Sequence, residues 1–272
     1  GTNDVTLANA NNDFGSIGVT AGAASITDKN AVALDNIKAA SLNVKAGGAV
    51  TQVADKALEV TGATSVDAGT NNVTLANAGN DFNTVAITAG VASVTDKNAV
   101  ALDNIKAASL TLKAGGAVTQ VADKALEVTG ATTVDAEANN VTLANAGNDF
   151  NTVAITAGVA SFADKNAVAL DNIKAESLTL KAGGAVTQVA DKALEVTGAT
   201  SVDAGTNDVT LANAGNDFNT VAITAGAASV TDKNAVALDN IKAASLTLKA
   251  GAAVTQVADK ALEVTGATTV DA

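Results

Sequence analysis

The sequence predicts an all-β chain folded as a right-handed parallel β-helix of about twelve coils, and three observations carry that expectation. Four copies of one 68-residue unit fill the chain, at 1–68, 69–136, 137–204 and 205–272. Within each unit, short Val/Leu/Ile pairs alternate with polar or small residues, which is the two-residue period of a strand. An Ala-Gly pair returns after successive apolar strands and marks a corner. Units of this kind bury their apolar faces only against their neighbours, so residues 1–272 are expected to form one continuous array.

The corner pairs set the expected coils. Ala89-Gly90 follows VAIT, Ala114-Gly115 follows LTLK, Ala136-Glu137 follows TTVD and Ala157-Gly158 follows VAIT again. Three coils per unit result, of about 25, 22 and 21 residues. The first is expected to place Val91 and Val94, Val100 and Leu102, then Leu110 and Leu112 inside. The second buries Val118 and Val121, Leu126 and Val128, then Val134. The third buries Val141 and Leu143, then Val153 and Ile155, with Phe150 filling the space of a degenerate strand. Gly22, Gly47, Gly69, Gly90 and Gly115 should stack at one corner. Glu137 stands where the other coils have Gly, so that corner should use negative φ or be strained.

A second anchor agrees with the first. Asn77, Asp96, Asp123, Asn145, Asp164, Asp191 and Asn213 recur in one register, and Asp96, Asp123, Asn145 and Asp164 each fall two residues after an apolar side chain. They read as corner residues that accept backbone hydrogen bonds and tolerate left-handed geometry. A Ca²⁺ ladder is the competing reading. Lys after Asp in most coils, and the absence of the G-G-x-G-x-D nonapeptide, favour the corner; GNDF alone is too short a match to that nonapeptide. A helical solenoid competes for DKNAVALDNIKAASL, with Val100, Ile105 and Leu110 inside. Gly and Thr-Val alternation break each such helix within about a dozen residues, which favours strands.

Composition excludes several functions. The net charge is −12, and all 16 basic residues are Lys, so counterion release on nucleic acid or anionic lipid has little to draw on. No apolar run spans a bilayer, and no membrane insertion is expected. No Cys or His is present, and neither cofactor nor metal is expected. Catalysis normally needs a unique constellation in a cleft. Here each Asp recurs in every unit, so an enzyme is not expected. The residue before Ala-Gly cycles Thr88, Lys113, Asp135, Thr156, Lys181 and Asp203, which should set each Lys one coil from an Asp on the outer face. Thr111 and Thr133 align as the start of a hydroxyl face suited to ice or a crystal, but Ala86 and Ala154 interrupt it. The ends at Gly1 and Ala272 are in register to continue the stack. End-to-end packing on further copies or further repeats is therefore expected.

The runs NAGNDFNTVAITAG and KAGGAVTQVADKALEVTGAT resemble the repeats of filamentous haemagglutinin-type bacterial exoproteins, in all four units. The resemblance implies a long right-handed β-helical shaft, exported through an outer-membrane partner, at the cell surface or secreted. It maps no binding residue onto this chain. A structural shaft is the expected function, and a multivalent binding surface with a weak site in each unit is the alternative.

Overall fold

A computed structural model describes all 272 residues, and every regular element in it is a β-strand. The fold is a parallel β-solenoid of about 14 turns. It packs as two units, Gly1–Asn139 and Asn140–Ala272.

The first unit contains β1 (Val5–Leu7), β2 (Ser16–Asp28), β3 (Val32–Ala46), β4 (Val50–Gln52), β5 (Leu58–Asp67), β6 (Val73–Leu75), β7 (Asp81–Asp96), β8 (Val100–Ala114), β9 (Val118–Gln120) and β10 (Leu126–Asp135). Each strand pairs in parallel with one a turn later. Val32 lies opposite Val50, Val50 opposite Val73, Val73 opposite Ala92, and Ala92 opposite Leu110. Three turns thus carry the chain from Val32 to Ala92 and four carry it to Leu110. Val100, the counterpart of Val32 in the next repeat, falls between those points. A repeat makes three turns and part of a fourth, so equivalent residues of neighbouring repeats within the unit sit at different places around the coil.

The second unit repeats the pattern through β11 (Val141–Leu143), β12 (Asp149–Asp164), β13 (Val168–Ala182), β14 (Val186–Gln188), β15 (Leu194–Asp203), β16 (Val209–Leu211), β17 (Asp217–Asp232), β18 (Val236–Ala250), β19 (Val254–Gln256), β20 (Leu262–Val264) and β21 (Thr268–Asp271). Val168, Val186, Val209, Ala228, Leu246 and Thr268 follow one another turn by turn.

Strand periodicity builds the core. In β8 the burial alternates along VALDNIKAASLTLKA, and Val100, Leu102, Ile105, Ala107, Leu110, Leu112 and Ala114 point inward. Each fully buried Leu, Ile or Val contributes about 1.5–3 kcal/mol. Buried Ala supplies much of the lining, which keeps the interior narrow. Phe82, Phe150 and Phe218 fill it at equivalent positions. Phe162 adds an edge-to-face partner for Phe150, with ring centroids 6.5 Å apart. Gly115 and Gly116 mark a place where successive turns come close: a Cβ on either would overlap the backbone of Lys97 to Ala99.

Several expectations need correction. The chain makes about 14 turns rather than about twelve. Thr88 lies opposite Lys106, not Lys113, because β7 and β8 close their turn sooner than the Ala-Gly spacing implies. For the same reason the five glycines do not form one column. Gly90 approaches Thr70 and Gly22 approaches Thr2, whereas Gly47 and Gly115 approach Lys29 and Lys97. Val91 is 44% exposed rather than inside, since β7 turns a corner at Gly90 and Ala92 takes the inward place. Val121 is only half-buried, in the turn that follows β9. Glu137 adopts φ +55, in the left-handed region shared by Gly69 and Gly205 at +59.

Candidate functional site

Two side-chain constellations occur in more than one repeat. The first is built from GNDF and the TDKN that follows it one turn later. Asn80 is fully buried. Its Nδ2 donates to the carbonyls of Leu75 at 3.1 Å and Thr95 at 3.2 Å and to Gln52 Oε1 at 3.1 Å. Its Oδ1 accepts from Leu58 N–H at 3.0 Å and from Gln52 Nε2 at 2.5 Å. One amide thereby ties together segments from several turns, and Asn216 makes the same set with Gln188, Leu194, Leu211 and Thr231.

Beside it lies Asp96, 1% exposed, with Oδ1 accepting Phe82 N–H at 2.7 Å and Oδ2 accepting Asn98 N–H at 3.1 Å. Asp28, Asp164 and Asp232 hold the corresponding amides in their own repeats. Burial pushes the Asp96, Asp164 and Asp232 carboxyls upward, partly offset by those backbone donors. On the surface, Asp81 meets Lys97 Nζ at 2.9 Å and Asn98 Nδ2 at 3.0 Å, and these donors hold it below the usual carboxylate range. Two carboxyls with environments pulling in opposite directions are what an acid-base pair requires. Here each oxygen of the buried member accepts a backbone amide, and at 1% exposure the carboxyl is turned to the fold rather than to solvent. The arrangement fastens the turn.

The corner series divides into three roles. Asp96 and Asp164 bind backbone amides as expected. Asp123 and Asp191 take φ +59 and +61, as do Asp55 and Asp259 at +60 and +61, and supply left-handed geometry. Asn77 and Asn213 use their side-chain amides as donors to the carbonyls of Val53 and Lys56, and of Val189 and Lys192. The series is not a stacked ladder, since Asp96 lies opposite Ala114. No group of three or more Asp, Glu, His or Cys side chains converges on a point where a metal could sit.

The second constellation is a shallow groove of about 340 Å³ beside Thr20, Ala21, Lys38, Ala39, Glu59 and Thr61. Its counterpart in the fourth repeat, about 360 Å³, is lined by Thr224, Ala225, Lys242, Ala243, Glu263 and Thr265. Small residues on consecutive turns form the floor, and Lys38 Nζ meets Glu59 at 3.2 Å on the wall. Thr224, the fourth-repeat counterpart of Thr88 and Thr156, lines this groove between Asp203 and Lys242. Thr88 stands between Asp67 and Lys106, and Thr156 opposite Lys174. The expected charge pairing holds one turn apart for Lys113 with Asp135 and Lys181 with Asp203. The Lys113 ammonium lies 3.9 Å from Asp135 and from Glu137. Such exposed pairs contribute about 0–1 kcal/mol.

Outward hydroxyls also line up. Thr74, Ser93, Thr111 and Thr133 occupy consecutive turns. Ala86 lies in a different column, after Ser65, and Ser93 stands beside Thr111, so Ala86 does not interrupt the Thr111 and Thr133 column as the sequence spacing implied.

The recurrence of the first constellation in all four repeats agrees with the family comparison. A model of repeats of unknown function, DUF5649, matches residues 21–89, 88–157, 156–225 and 225–272. The chain belongs to the DUF5649 repeat family. The DUF5649 boundaries start partway through the unit as read from Gly1, so successive matches abut near the VAIT strands. Comparison with curated proteins and with solved structures gives no match.

Proposed function

We propose that these DUF5649 repeats form a non-catalytic structural shaft, a right-handed β-helix, within a large secreted or cell-surface bacterial protein of the filamentous haemagglutinin type. The observation that carries this reading is where the polar chemistry goes. Asn80, Asp96 and their counterparts spend their side chains on backbone groups of adjacent turns, so the repeated GNDF and TDKN lines serve closure of the stack. Each turn presents the next with the same parallel edge, and a shaft gains length by repeating it. Copies of the array, or further repeats, are the partners such a shaft requires, and they stack end to end. Nucleic acid and membrane interior have no place in this reading.

The test is length against repeat number. Four-repeat and eight-repeat arrays imaged by electron microscopy should differ in length in proportion to their repeats, with unchanged width. Equal lengths, or a compact eight-repeat particle, would defeat the shaft.

The matching grooves of the first and fourth repeats favour a second reading, a multivalent binding surface. A weak site present in several repeats gains avidity without any single strong contact. Simultaneous substitution of Thr88, Thr156 and Thr224 by Lys separates the two: a shaft keeps its length and stability, whereas a multivalent surface loses adhesion to its target. The hydroxyl column offers an ice or crystal face as one form of that surface.

A further inference from the structure

The second and third repeats carry Asn72-Val73-Thr74 and Asn140-Val141-Thr142, where the first and fourth have Asp4 and Asp208 in place of Asn. The fold asks one thing of this side chain. Asp4 Oδ1 accepts Ala23 N–H at 2.8 Å, and Asp208 Oδ1 accepts Ala227 N–H at 2.8 Å. Asn72 Oδ1 does the same for Val91 N–H at 3.1 Å, and Asn140 Oδ1 for Val159 N–H at 3.2 Å. The Asn72 carbonyl in turn accepts Val50 N–H at 2.9 Å. An oxygen is all the turn requires, so the amide nitrogen of Asn72 and Asn140 is surplus to the fold.

Both asparagines are exposed. Thr74 in β6 and Thr142 in β11 are the exposed middle residues of strands whose flanking residues are buried. Two residues apart on an extended strand, Asn and Thr share the outward face. An exposed Asn with a spare amide nitrogen and an outward hydroxyl two residues later is the acceptor pattern for N-linked sugar.

We propose that Asn72 and Asn140 are N-glycosylation acceptor sites, modified by a glycosyltransferase using an activated glycosyl phosphate donor such as a nucleotide sugar. The Nδ2 atom forms a bond to the anomeric carbon as the bond from that carbon to the phosphate oxygen breaks. The amide gives up one proton to a base of the transferase, the phosphate leaves with the electron pair, and no group is oxidised or reduced. Oδ1 keeps its bond to Val91 or Val159, so the sugar sits outside the turn without opening it. This local geometry is independent of the shaft reading.

The test uses the folded 272-residue chain, a purified soluble N-glycosyltransferase and UDP-glucose, with an unrelated sequon peptide confirming that the enzyme is active. Intact mass and peptide mapping should find one hexose on Asn72 and one on Asn140, with the melting temperature unchanged. The variants Asn72→Asp and Asn140→Asp recreate the residues of the first and fourth repeats, so they fold, and each should remove one hexose. A folded chain with no hexose at either asparagine overturns the proposal, whether or not the urea-unfolded chain is modified. Hexose that persists in the double variant overturns it as well.

Discussion

Replacing Thr64, Thr132 and Thr200 together by Val should make the chain more stable. All three are 1% exposed, and their hydroxyls have no hydrogen-bond partner in the structure. An uncompensated buried hydroxyl costs about 1–3 kcal/mol in proteins. Val keeps the β-branched shape that the strand favours and fills the same space. Each substitution should therefore stabilise by about 1–2 kcal/mol. The residues share no strand partner: Thr64 lies between Leu42 and Val85, Thr132 beside Leu110, and Thr200 between Leu178 and Val221. Their effects should add, to about 3–6 kcal/mol for the triple variant. Urea unfolding followed by circular dichroism reads this as a higher midpoint at constant slope. A triple variant that unfolds at the parent's midpoint or below it refutes the reasoning, and means that each hydroxyl holds a buried water worth keeping.

Glu137→Gly should stabilise by about 0.5–1 kcal/mol, because left-handed geometry costs a side-chain-bearing residue about 1–2 kcal/mol and glycine's looser unfolded state returns part of the gain. Gly69→Glu should reverse the sign, and a stabilised Gly69→Glu variant would show that the corner is not strained. Asp96→Asn leaves one backbone N–H facing an amide donor and should cost about 1–3 kcal/mol by urea denaturation. The folded Asp96 carboxyl holds its proton more tightly than the unfolded one, so its contribution to stability is full below the unfolded value and is lost as pH rises through the folded one. The gap between parent and Asp96→Asn should accordingly widen from about pH 7 to about pH 4, and a gap that narrows contradicts the burial argument. Leu112→Asp should cost more than about 4 kcal/mol, as an unpaired charge in a dry core, and a variant with near-native thermal stability would place Leu112 outside.

The class of fold was legible because its causes are local. Alternation along VALDNIKAASLTLKA states which residues face inward, and β8 buries the expected Val100, Leu102, Leu110 and Leu112. Closure of the turn was not legible from spacing. Ala89-Gly90 and Ala114-Gly115 look alike in sequence but sit at different points around the coil, because β7 and β8 run through corners without a polar break. Reading them as one corner lengthened the coil and misplaced Val91 and Thr88. Asn80 was passed over because GNDF was weighed only as a fragment of a metal motif. Its buried role depends on Gln52 and Leu58 from the preceding turn, a partnership that a linear reading does not display. The missing signal was pairing at a distance: VTQ precedes NAGND in every repeat after the first.

The register between turns is the central claim, and disulfide trapping tests it most directly. The chain has no cysteine of its own, so any bridge reports the engineered pair alone. Thr88→Cys with Lys106→Cys joins residues directly opposite on adjacent parallel strands, where Cα atoms about 4.8 Å apart fall within reach of a disulfide. Thr88→Cys with Lys113→Cys joins the residues that the Ala-Gly spacing would have stacked. On mild oxidation of the folded monomer, the account predicts an intramolecular bridge in the first variant and none in the second. A bridge between Cys at 88 and 113, with the first pair remaining reduced, would contradict it.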